Sequence, residues 1–248
     1  MKILVSASRV PDTATKVIVG QDKKSIDAKG VKFVLNPYDE FAVEEGLRIR
    51  EKFGGEVTVI TVADDTAQDI LRTALAMGAD NAVHVKTKTT VDSYQVAKSI
   101  ADYAKKLNPD IILMGRQSID FDSFQVPSYT AELLGIPSVS VVSKLSLEGS
   151  EVTAERDIEG GKEIVQTSLP CLISTQKGIN EPRYPKLPDI MKAKKKPIEE
   201  IEFQNYEPAI EILSMEIPQK QRVGKILTDS DSDINELIRL LHEEAKVI

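Results

Sequence analysis

The loop Gly115-Arg116-Gln117-Ser118-Ile119-Asp120-Phe121-Asp122-Ser123-Phe124-Gln125-Val126-Pro127-Ser128 holds the residue types best suited to binding chemistry. It lies between the short apolar run Ile111–Met114 and a helical stretch around Tyr129–Leu134. Its backbone N–H groups could therefore meet an anion at a helix N-terminus, with Arg116 and Gln117 as side-chain donors. A solvated connection without a ligand is the alternative, and residue types alone leave both open. Other chemistry is harder to find. No GxGxxG follows a strand and no GxxxxGK[ST] occurs, so the common dinucleotide and P-loop fingerprints are missing. His84 and His242 are far apart, and Cys171 falls in a strand-like run where a buried, inert thiol is expected. No GxSxG elbow accompanies the serines. Asp64-Asp65 is explained by a helix N-terminus. The pattern favours a binder or carrier over a catalyst.

A second cluster is Met191-Lys192-Ala193-Lys194-Lys195-Lys196, the one basic run in an acidic chain. It follows Leu187-Pro188-Asp189-Ile190 and so joins apolar groups to positive charge. That pairing suits docking on an acidic protein surface better than gripping DNA, although a solvated loop would read the same way.

The elements that must position these residues follow from hydrophobic spacing. Lys2–Ser6, Val17–Val19, Val31–Leu35, Val57–Val62, Ala82–Val85, Ile111–Met114 and Cys171–Thr175 read as strands, with a turn at Val10–Asp12. Between them, Ala42, Gly46, Ile49 and Phe53 share one helical face in a helix opened by Asp39 and ended by Gly54-Gly55. Thr66 is the expected cap of the next helix, which stops at Gly78, and Val96, Ile100, Tyr103 and Leu107 mark another that ends before Asn108-Pro109. Continuous apolar strands alternating with helices predict an α/β fold: a doubly wound, mostly parallel sheet with helices on both faces. Ser140–Leu147, Glu151–Ile158 and Glu163–Leu169, with turns between them, are expected as antiparallel edge additions. Residues 178–230 are proline-rich with little periodicity, and Ile234–Leu241 is helical again, capped by Asp231 or Ser232. So long a stretch with weak self-packing predicts an extended C-terminal arm that packs on another molecule. The expected organisation is an α/β domain over 1–178, a loop carrying the basic run over 179–196 and the arm over 197–248.

With 248 residues and 41% hydrophobic positions the chain can bury a large core and is too apolar to be disordered. A formal charge of −7 argues against general nucleic-acid binding. No run is long enough to enter a membrane, and MKILVSAS passes straight into strand-like sequence, so neither membrane insertion nor a leader is expected. A single cysteine suits a reducing compartment, and the expected location is cytoplasmic.

Four blocks carry a resemblance to a known family. They are Asn36-Pro37-Tyr38-Asp39-Glu40-Phe41-Ala42-Val43-Glu44-Glu45, the segment Arg72–Asp80, the segment Ala154–Val165 with Pro170–Ser174, and Asn180-Glu181-Pro182-Arg183-Tyr184-Pro185-Lys186-Leu187 running on to Lys196. In this order they resemble the beta subunit of electron transfer flavoprotein over nearly the whole chain.

The resemblance implies an adenine-nucleotide α-hydrolase-like fold and a non-catalytic subunit of a heterodimer. Its alpha subunit holds most of the contacts to FAD. The complex takes electrons from flavin dehydrogenases, such as acyl-CoA dehydrogenase in fatty acid oxidation, and passes them to a quinone oxidoreductase or similar acceptor. The beta subunit binds AMP structurally; in electron-bifurcating relatives a second FAD replaces it and NADH is oxidised. By position, Ser6, Asn36 and Ala63 would line the adenine side. The phosphates would lie on Asp120–Pro127, including Asp120 and Asp122 and above all the backbone of Phe124, Gln125 and Val126. Leu187, Lys192 and Lys195 would meet the partner dehydrogenase, and the arm would wrap the alpha subunit. This chain has Ser8 where family members often carry Lys, and Thr13 where they carry an aromatic residue. It also has Phe124-Gln125-Val126-Pro127 for the usual Asn-Gln-Thr-Gly. Val126 offers no hydroxyl and Pro127 no N–H. AMP and a second FAD both stay open. An ATP-handling enzyme or stress-type nucleotide binder of the same fold is a further alternative, but Ser6–Asp12 lacks the Ser-Gly-Gly-x-Asp-Ser-like turn of an ATP pyrophosphatase.

Overall fold

The computed structural model describes residues 1–218 and 224–248. The chain runs through β1 (Lys2–Ser6), β2 (Arg9–Pro11), β3 (Phe33–Leu35), α1 (Pro37–Phe53), β4 (Glu56–Ala63), α2 (Gln68–Met77), β5 (Asn81–Lys86), α3 (Ser93–Leu107), β6 (Ile111–Gly115) and α4 (Gln125–Leu134). It continues through β7 (Ser138–Glu148), β8 (Glu151–Ile158), β9 (Gly161–Ser168), β10 (Cys171–Thr175), α5 (Leu187–Ala193), β11 (Glu199–Glu202) and α6 (Asp231–Arg239). Nine strands form one sheet in the order β11-β5-β4-β1-β6-β10-β7-β8-β9. The first seven in that order pair parallel, and β7-β8-β9 pair antiparallel at one edge.

Alternation along the buried strands decides which helix packs where. Ile3, Val5, Val57, Val59, Ile111 and Leu113 point to the face covered by α1 and α2. Their neighbours Leu4, Ile60, Ile112 and Met114 point to the face covered by α3 and α4. Two sided burial is why these strands are apolar throughout. The expected doubly wound α/β architecture is therefore the observed one.

Local chemistry sets the ends of the helices. Pro37 starts α1 two residues before Asp39, because its fixed φ and missing N–H fit a first turn. Asp64, rather than Thr66, caps the turn leading into α2: its side chain accepts the Thr66 N–H at 2.9 Å. Asp92 and Gln95 form a reciprocal capping box on α3. Ser230, rather than Asp231 or Ser232, caps α6.

Three expectations fail on short elements. Val17–Val19 is not a strand; only an isolated bridge joins Val19 to Ile26. The strand expected over Val31–Leu35 shrinks to β3, and it pairs with Arg9–Pro11, a strand that overlaps the turn expected at Val10–Asp12. The stretch after 178 contains α5 and β11, neither marked by periodicity. The first has seven residues, and the second, Glu-Glu-Ile-Glu, is a charged edge strand that pairs with β5. The arm thus begins as part of the sheet.

Beyond β11 the chain stays fastened to α3. Gln95 Nε2 donates to the Tyr206 carbonyl at 2.7 Å, and Tyr206 Oη donates to Asp102 at 2.5 Å. Asp92 accepts the Ala209 and Ile210 amides at 2.5 and 2.9 Å. The Met215 amide then donates to the Lys23 carbonyl at 2.6 Å. Residues 219–223 of the expected arm lie outside the described residues. No residue of α6 is buried, and Ile234, Leu237 and Ile238 leave its apolar side exposed. Limited proteolysis of the isolated chain is therefore expected to cut first beyond Ile210, and Asp92→Ala should move the first cuts back toward Gln204. Early wild-type cleavage between 197 and 204 would contradict this fastening. No helix among the described residues is long and apolar enough to cross a membrane.

Candidate functional site

From β1 the chain moves to β4 and β5 on one side, then returns to place β6 on the other. This reversal opens a crevice at the carboxyl ends of the strands, where ligands of open α/β sheets bind. The crevice measures about 510 Å³, within the range of sites for small organic ligands.

Its floor is built on close backbone approach. Asp39 reaches from the first turn of α1 and accepts the Ser8 amide at 2.7 Å and the Gly115 amide at 2.9 Å. One carboxyl thereby ties the ends of β1 and β6 together. Only glycine fits at 115, because a Cβ there would lie 2.4 Å from Asp39 Oδ1. Burial pushes the Asp39 carboxyl up to about 7, against the pull of the amides it accepts. Both carboxyl oxygens are occupied by these amides, so Asp39 braces the floor of the crevice and has no oxygen left over for a ligand.

The donors come from α4. Phe124 stands at its N-cap in a left-handed conformation (φ 57°) and has no side-chain oxygen to cap the helix. Gln125 and Val126 therefore open the first turn toward the crevice without a capping acceptor. An uncapped turn at the positive end of a helix suits a phosphate oxygen. The wall carries Lys88 and Arg9, the latter paired with Asp69 and lying 3.8 Å over the Phe33 ring, beside the carboxylates Asp64, Asp92 and Asp120.

Of the eight residues expected to bind a nucleotide, Ser6, Ala63, Asp120, Phe124, Gln125 and Val126 line the crevice. Asn36 and Asp122 do not. Asn36 is fully buried at the N-cap of α1, where its Nδ2 donates to the Gln117 carbonyl at 2.9 Å and braces the loop from beneath. Asp122 turns outward to accept from Gln117 Nε2. Gln117 lines the crevice, whereas Arg116 turns away from it onto Tyr38. The sequence reading missed the segment Thr87–Ser93, which forms one wall. Its signal was available: Lys86-Thr87-Lys88-Thr89-Thr90 is a polar run at the carboxyl end of β5.

Leu187, Lys192 and Lys195 come together on and just after α5, all exposed and remote from the crevice lining. Both flanks of this short helix are tied down. Arg183 grips Glu44 through Nε (2.8 Å) and Nη2 (2.9 Å), and Glu51 through Nη1 (2.6 Å). Asn180 donates to the Phe41 carbonyl at 3.0 Å. On the other flank, Arg72 donates to the Ala193 carbonyl at 2.7 Å, and Lys196 to the Ala79 carbonyl at 2.7 Å. The exposed apolar tip is thus presented from fixed ends.

Fold and site together define a doubly wound α/β protein with a crevice at its switch point that suits an anion and a separate short helix whose exposed apolar tip is held from both flanks. Comparison with known proteins makes the class specific. The electron transfer flavoprotein domain profile matches residues 24–205. The beta subunit of electron transfer flavoprotein from Bacillus subtilis (strain 168) is 41% identical over the full length of both chains. The mitochondrial beta subunit from Arabidopsis thaliana is 39% identical, also over both full lengths. That of Mus musculus is 37% identical over 93% of this chain and 94% of its own. The chain belongs to the electron transfer flavoprotein family, among its beta subunits.

Proposed function

We propose that this chain is the beta subunit of a heterodimeric electron carrier, holding AMP in its crevice as a structural ligand and performing no bond-making itself. An alpha subunit would complete the complex and hold most of the FAD, which supplies the redox chemistry when bound. Electrons would arrive from flavin dehydrogenases such as acyl-CoA dehydrogenase, as in fatty acid oxidation, and leave to a quinone oxidoreductase or a similar acceptor. The observation that carries the nucleotide reading is the uncapped first turn of α4 over the crevice, with Gln125 and Val126 at its mouth. Its donor chemistry fits a phosphate. The uncovered apolar side of α6 supports an arm that completes its packing on the alpha subunit. The adenine-nucleotide α-hydrolase-like likeness and a cytoplasmic, reducing setting belong to the same reading. Burial raises the lone Cys171 thiol to about 11, which keeps it unreactive.

A second FAD in place of AMP, with NADH as electron source, is the second reading. It is favoured by the length of the crevice, which extends from Val126 to the Arg9–Phe33 wall. Co-purifying the chain with its alpha subunit, denaturing the complex and counting released nucleotides separates the two. One FAD with one AMP supports the carrier, two FAD support the bifurcating form, and no adenine nucleotide beyond one FAD removes the crevice from the account.

Docking is assigned to Leu187, which is 73% exposed, with Lys192 and Lys195 steering encounter. Leu187→Ala is expected to change stability by less than about 0.5 kcal/mol, because the side chain has little burial to lose. The same change should lower the rate of reduction by the partner dehydrogenase about tenfold or more. An unchanged rate would argue against this anchor.

A further inference from the structure

Arg116 has no use in the crevice, and its surroundings are unusual for a cation. Every other arginine among the described residues pairs with a carboxylate or, in the case of Arg72, donates to backbone carbonyls. Arg116 has no carboxylate within salt-bridge distance among the described residues. Its Nη2 donates to the Tyr38 hydroxyl at 3.1 Å, and its Nε is buried with no hydrogen-bond partner. Two aromatic rings hold the guanidinium in place, with centroids 4.7 Å (Tyr38) and 5.1 Å (Phe124) from its central carbon.

The location sharpens the imbalance. Tyr38 belongs to the first turn of α1 and Phe124 is the N-cap of α4, so the positive ends of two helices border this cation. The nearby carboxyl of Asp39 is already committed to the Ser8 and Gly115 amides. Three sources of positive potential thus meet, and no anion among the described residues pairs with the guanidinium. A cation so fixed and so poorly matched gains most from an oxyanion brought from outside.

We propose that Arg116 is an oxyanion-binding point, distinct from the nucleotide crevice, which receives a carboxylate or phosphate oxygen carried by the alpha subunit of the complex. The proposal rests on the heterodimer reading above. A carboxylate would come from an alpha-subunit side chain, and a phosphate from the FAD that subunit holds.

The test uses the full chain paired with its alpha subunit, comparing wild type, R116Q and R116K. Sedimentation gives the dissociation constant at low and high sodium chloride (about 50 and 300 mM), and absorbance after denaturation gives FAD per heterodimer. R116Q is expected to melt close to wild type, since glutamine can still donate to Tyr38, and to weaken pairing about tenfold or more at low salt, with R116K in between. The wild-type advantage should shrink at high salt. Weaker pairing with FAD fully retained identifies a carboxylate; FAD lost from an intact heterodimer identifies a phosphate. Unchanged pairing and unchanged FAD in R116Q would overturn the proposal. So would a large fall in its melting temperature, which would make Arg116 a structural member of the isolated fold. Wild-type chain that fails to pair at all would instead overturn the heterodimer reading beneath it.

Discussion

Arg183→Ala is expected to lower the free energy of unfolding by about 2–4 kcal/mol, read from urea denaturation at neutral pH. The Glu44 side chain is only 7% exposed and receives two of the guanidinium donors. Removing Arg183 strands that carboxylate, and desolvation rather than lost attraction sets most of the cost. Arg183 itself is 36% exposed, so solvent screens the pair and the loss falls below the top of the range for a fully buried one. Arg183→Lys should recover only part, because one ammonium cannot span both Glu44 and Glu51. Glu44→Gln placed on Arg183→Ala should restore part of the stability by removing the stranded charge. A loss below about 0.5 kcal/mol in Arg183→Ala would mean that Glu44 finds water in the native state. Loosening this flank should also blur the presentation of α5, so dehydrogenase coupling should fall even though Leu187 is untouched.

Gly115→Ala is expected to cost about 2–4 kcal/mol and to weaken nucleotide retention in the same protein. The new methyl would meet Asp39 Oδ1 at 2.4 Å and Tyr38 at 2.8 Å, and neither can retreat without opening the tie between β1 and β6. The same tie predicts a pH dependence. Burial raises the Asp39 carboxyl from 3.8 to about 7, so the folded chain keeps a proton that the unfolded chain has released. That contribution is complete below about pH 4 and fades as pH rises to about 7, on the order of a few kcal/mol. Glu40 and Glu45, also raised by burial, act in the same direction. Asp39→Asn should flatten the slope without abolishing it. A wild-type slope that Asp39→Asn leaves unaltered would show that Asp39 ionises in the fold as it does in water.

Much of this was legible in the residues. Val57–Val62 announces a strand covered on both faces because nothing polar is needed where helices pack on either side. Gly115–Ser128 reads as a polar loop leading into a helix, and the crevice forms along it, although α4 begins at Gln125, four residues before the expected start near Tyr129. What stayed hidden depends on long-range contacts. Nothing local in Glu199–Glu202 reveals a strand, because its pairing partner is β5 and its packing comes from Ile201 and the following Phe203. Asn36 has the right chemistry for a ligand, but burial turns its amide inward to the Gln117 carbonyl. The Thr87–Ser93 wall was overlooked although the rule that selected the other strand ends applies equally to β5.

The late arrival of β11 has a cost in time. Its Glu200 stands 114 residues after Lys86 on β5, with which it forms an ion pair across the finished sheet edge. At ribosomal speeds of about 5–20 residues per second, the N-terminal half waits roughly 6–23 s with that margin bare. Nascent chains therefore carry an unprotected β-template, and chaperone demand should concentrate in this interval of synthesis.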